Sequence, residues 1–153
     1  MTYLKNTLDT TNKKNQHKMK LHKIFIDDTR KPSSKHSDGE NWILCTSYKE
    51  FQQKINELLE KKEWISEISF DYILGYTNGL DDSNGSDCFK LLARTINKNR
   101  LPVPEKIYIH SEYPNAENNF KATAMSLSHL HDIDVDLIKI DDYGGKTVLK
   151  TWE

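Results

Sequence analysis

The sequence has only two cysteines, Cys45 and Cys88, and neither sits in a C-x-x-C pair or a Cys/His cluster. That pattern argues against a disulfide-framed secreted domain and a thiolate zinc site. No apolar run approaches the roughly 18 residues of a membrane helix. None has the form of a signal-peptide core. A reduced, cytoplasmic chain with no membrane association is the expectation. Repeats and low-complexity tracts are also missing from the body of the chain.

What is there amounts to one domain of 153 residues. A chain of this size buries about 70% of its unfolded surface and folds without a staple. Three Trp, seven Tyr and five Phe are available to seed a core. The formal net charge of −1 conceals an asymmetry. Six lysines against the single Asp9 give residues 1–23 a charge of +5, which leaves −6 for residues 24–153. The head, residues 1–20, is read as a polar, basic extension without a fold of its own. No aromatic residue is interleaved among its lysines to stack on bases. The acidic body, residues 21–153, is read as a single domain that does not bind duplex nucleic acid strongly.

Strand and helix signals alternate along that body. Ile24-Phe25-Ile26 is a buried strand that stops abruptly at Asp27-Asp28. Trp42–Cys45 is a second strand, and Ser47 caps a helix from Tyr48 to about Lys62 whose apolar face is Phe51, Ile55, Leu58 and Leu59. Ile65–Asp71 is a third strand, again closing on a carboxylate. A glycine-rich acidic loop follows, and Ser86 or Asp87 is expected to cap a helix through Phe89, Leu92 and Ile96. Ile107–Ile109 is a fourth strand ending at His110-Ser111. A helix over about 116–130, a strand over 135–140 and a returning hairpin strand from Lys146 complete the pattern. The alternation predicts an α/β, three-layer sandwich around a mainly parallel, five-stranded sheet with a C-terminal β-hairpin.

In such sheets ligands bind beyond the carboxyl ends of the strands, where strand order reverses. Three strands deliver polar groups to that edge: Asp27 and Asp28, then Asp71, then His110 and Ser111. Carboxylates crowded together repel unless a cation or a proton lies between them, and hard oxygen donors suit Mg²⁺ or Mn²⁺. A lone Asp at a strand end is more often a turn residue; three at corresponding ends favour a site. His110 is a candidate general acid or base and Ser111 a phosphoryl contact. Arg30 offers a bidentate donor to phosphate. His129 and His131, near a helix end, read as surface residues.

These residues carry a family resemblance. The order of elements, the acid pair after the first strand and the single acid after the third resemble the receiver domain of two-component signalling. The closer resemblance is to the cyclic-phosphate processing receiver-like family, through IDDTRKP at 26–32, SFDYILG at 69–75, NGSDCFKLL at 84–92 and HSEYPNAENN at 110–119. The resemblance implies a flavodoxin-like fold and a metal site at Asp27, Asp28 and Asp71. It also implies His110 and Ser111 facing a phosphate, with Arg30 and Asn118 as further contacts. The activity implied is metal-dependent opening of a cyclic phosphate on a nucleotide or RNA end. The family pattern has histidine after the third-strand Asp, and this chain has Tyr72, which removes one acid/base candidate and leaves a phenol that can bind ligand or pack. Two other functions compete. One is a phosphoacceptor receiver with Asp71 as acceptor. The other is a non-catalytic module that binds a nucleotide or a protein partner, as a small phage-encoded chain would carry.

Overall fold

The computed structural model describes residues 19–28, 32, 41–71, 84–110, 116–141 and 145–150. The expected N-terminal extension lies, up to residue 18, outside the described residues. Within them the elements run β1 (Leu21–Ile26), β2 (Trp42–Cys45), α1 (Tyr48–Lys61), β3 (Trp64–Phe70), α2 (Gly85–Asn97), β4 (Lys106–Ile109), α3 (Ala116–His131), β5 (Leu137–Ile140) and β6 (Lys146–Leu149). No helix among them is long and apolar enough to cross a membrane.

One six-stranded sheet has the order β2-β1-β3-β4-β5-β6. The first five strands are parallel, and β6 returns antiparallel against β5 as the expected hairpin. The receiver-like α/β fold is therefore present, with β6 adding a sixth strand at the edge. Strand order reverses between β1 and β3, because β1 leads outward to β2 and the chain then crosses back over β1 to β3.

The handedness of crossovers explains where the helices lie. The three connections through α1, α2 and α3 all step in the same direction across the sheet, and right-handed crossovers place them on one face. Strand residues of one parity (Ile24, Ile26, Ile68, Phe70, Ile107, Ile109 and Leu137) share a single core with Phe51, Ile55 and Leu58 of α1, Phe89, Leu92 and Ile96 of α2, and Phe120, Ala124 and Leu127 of α3. Phe70 is the hub, within 5.0–6.4 Å of the rings of Phe89, Phe120 and Phe51. The opposite parity, with Phe25, Ser69 and Tyr108 in one row, faces away from the described helices. The third layer of the expected sandwich is not among the described residues.

Local chemistry sets the helix ends. Ser47 caps α1 as expected, its hydroxyl accepting from the Glu50 N–H at 3.1 Å, and Lys62 closes the helix in the left-handed region at φ 58°. The cap of α2 is Asn84, not Ser86 or Asp87. Asn84 accepts from the Asp87 N–H at 3.1 Å, and the Asp87 carboxylate accepts from the Asn84 N–H at 2.8 Å. This reciprocal pair satisfies two orphan donors at once, which neither of the expected caps does.

Candidate metal and phosphate site

The sheet ladder runs one residue past three strand ends, and this builds the site. Asp27 N–H donates to Cys45 O, Asp71 N–H to Ile26 O and His110 N–H to Phe70 O, at 3.1, 2.9 and 3.0 Å. Ile26 pairs with Phe70 and Phe70 with Ile109, so the three residues that follow form one row across β1, β3 and β4. Their side chains share the parity of Phe25, Ser69 and Tyr108. The row therefore lies at the carboxyl edge, beside the switch point, on the sheet face turned away from the helices.

Asp27, Asp71 and His110 are all buried, at 3%, 7% and 6% exposure. One ligand atom from each lies within 4.8 Å of the others. His110 Nε2 is 2.9 Å from Asp27 Oδ2 and its Nδ1 is 2.6 Å from Ser69 Oγ. The imidazole stacks on Phe25 with centroids 4.4 Å apart and planes 8° from parallel. Two buried carboxylates side by side repel unless a cation or a proton lies between them. The two carboxylates, hard oxygen donors held by backbone ladders, are the kind of donor that suits Mg²⁺ or Mn²⁺.

Among the expected site residues, the structure brings Asp27, Asp71 and His110 together. Asp28 is exposed and is not part of that group of three. Asn118 is exposed on the first turn of α3. Arg30, Tyr72 and Ser111 lie outside the described residues. Lys139 is the penultimate residue of β5, with its ammonium 3.3 Å from Glu117 Oε2. His131 is outside the cluster and bonds Asn97 Oδ1 at 2.8 Å.

Sequence reasoning missed Ser69 and Phe25. Ser69 carries a signal in principle, since a hydroxyl inside an apolar strand needs a buried partner. Phe25 carries none, because an aromatic residue in a buried strand reads as core.

The family model of the cyclic-phosphate processing receiver domain matches residues 22–126, from β1 into α3. No curated protein and no solved structure matches the chain. The match takes in every strand end that contributes to the Asp27–Asp71–His110 row. With more than half of its length covered, on a parallel sheet of the receiver type, the chain belongs to the cyclic-phosphate processing receiver domain family.

Proposed function

We propose that this domain binds a cyclic phosphate, on a nucleotide or an RNA end, at the Asp27–Asp71–His110 row and opens it by metal-dependent hydrolysis. One observation carries the reading: two buried carboxylates and an imidazole converge within 4.8 Å at the carboxyl edge of the sheet. Receiver domains commonly bind Mg²⁺ through acidic residues, and this acid pair is of that kind.

Asp27 and Asp71 would hold the cation, with the neighbouring Asp28 as the further acid of the set. The chemistry such an ion supplies is neutralisation of phosphoryl charge and acidification of water. His110 acts as the proton donor. A water oxygen attacks phosphorus, one ring P–O bond breaks, and the departing ester oxygen takes a proton from Nε2 of the imidazolium. The neutral ring that remains can accept a proton from water for the next turnover. Arg30 and Asn118 bind phosphate oxygens, Ser111 contacts the phosphoryl group, and Tyr72 contributes a hydrogen bond in place of the family's histidine.

The competing phosphoacceptor reading takes Asp71 as the acceptor, with Lys139, near the end of β5 and ion-paired at 3.3 Å with Glu117, as its strand-end lysine. Its signature, a mass increase at Asp71 with acetyl phosphate, is a separate measurement.

The test is a panel of 2′,3′-cyclic, 3′,5′-cyclic and cyclic oligonucleotide substrates offered with Mg²⁺ or Mn²⁺. Products are read by mass spectrometry and phosphorus NMR. Addition of one water and a single phosphate regiochemistry are expected for one class. A panel that is bound and returned intact makes the domain a binding module.

A further inference from the structure

We infer that Ser69 is a positioning residue for His110, one that fixes which way the ring is turned and so keeps Nε2 facing the carboxylates. The catalytic part of this inference rests on the reading above; the geometric part does not. Ser69 lies inside β3, fully buried, with its Oγ 2.6 Å from His110 Nδ1. Phe25 stacks on the ring within 8° of parallel and so sets its plane.

A stack alone leaves two orientations. Rotating the ring by half a revolution about the Cβ–Cγ bond returns it to the same plane but exchanges Nδ1 with one carbon and Nε2 with the other. An aromatic face hardly distinguishes them. The Ser69 hydroxyl on one side and the Asp27 carboxylate on the other do. In the turned ring, carbon atoms face both oxygens, and both hydrogen bonds of the imidazole to them are lost. Register produces the geometry: Ser69 pairs with Tyr108, so His110 stands two residues further along on the same face, diagonal to Ser69.

A hydroxyl also suits the task chemically, because it donates as readily as it accepts. It can therefore bond Nδ1 in either tautomer of the ring, which leaves Nε2 as the nitrogen facing the carboxylates.

The test uses the full chain, ¹⁵N-labelled and free of metal. In long-range ¹H–¹⁵N spectra, Ser69→Ala should move the Nδ1 resonance of His110 and broaden the ring signals as the ring samples both orientations. Ser69→Thr, which keeps the hydroxyl, should restore them. If Ser69→Ala does not fold, Ser69→Cys makes the same comparison with a weak hydrogen-bonding thiol. Ring signals of His110 that are unchanged without the hydroxyl overturn the inference.

On whichever cyclic phosphate of the panel is turned over, Ser69→Ala should lower kcat about 10–100-fold, the range typical of partners that orient a functional imidazole. KM should stay within about twofold, and Ser69→Thr should recover the rate. The two claims fail separately. Altered ring signals without any turnover sink the hydrolysis reading and leave the positioning role standing. Turnover with unaltered signals and an unaltered kcat sinks the positioning role alone.

Discussion

Asp27 and Asp71 stand in adjacent strands on one row, each at the end of an apolar run, with the imidazole of His110 on the same row. Their effects on turnover should differ in kind. Asp71→Asn removes a charged oxygen donor and should abolish cation-dependent hydrolysis. His110→Ala leaves the carboxylate pair in place and should cost about 10²–10⁴-fold, the usual contribution of a general acid. Steady-state rates across a Mn²⁺ titration separate the two, and unchanged rates in both variants remove the mechanism. The cysteines give a prediction of the opposite sort. Cys45 and Cys88 are buried thiols outside any disulfide, and burial together with the nearby Glu50 pushes Cys45 up to about 12. The thiolate is the nucleophile, so Cys45 has almost none at pH 8. Neither thiol should react with a disulfide reagent in the native protein, and both should in denaturant. A fast-reacting native thiol contradicts the burial.

The elements that position the row are held by features of unequal legibility. Phe70 touches an aromatic ring from each of α1, α2 and α3, so Phe70→Ala should destabilise the fold by about 3–5 kcal/mol in urea unfolding. Asn84→Ala should cost about 1 kcal/mol by breaking the reciprocal cap of α2. Apolar strands closing on Asp27, Asp71 and His110 were readable because polarity changes abruptly there. Helix faces in α1 and α2 were readable from their spacing. The cap of α2 was not, because Asn84, Ser86 and Asp87 are all good capping residues and only the reciprocal geometry selects one. Ser69 was hidden for a different reason. Its partnership with His110 depends on the offset between β3 and β4, and a parallel pair joined through a helix leaves that offset to tertiary packing. The row itself was legible as three strand ends, and its shared face became so only with the register.

At the scale of the molecule, residues 24–153 carry a charge of −6, so the domain as a whole repels an anionic ligand. Recognition of phosphate then has to be local, and the acid pair makes sense as the seat of a cation, not as a contact to the ligand itself. This has a thermodynamic signature that needs no substrate. Without a cation the two carboxylates oppose each other in a buried site and lower stability; a bound cation reverses the sign and adds stability by mass action. At a concentration 100 times Kd the gain is about 2.7 kcal/mol, and for a chain of this size that corresponds to a rise in Tm of about 5–10 °C. Mg²⁺ or Mn²⁺ should therefore raise Tm and EDTA should return it. Asp71→Asn should do two opposite things: raise Tm in EDTA, by removing the repulsion, and erase the response to the cation. Melting curves of both proteins with and without metal read both effects. A variant that is less stable in EDTA yet still responds fully to Mn²⁺ would place the cation elsewhere and leave Asp71 a structural acid.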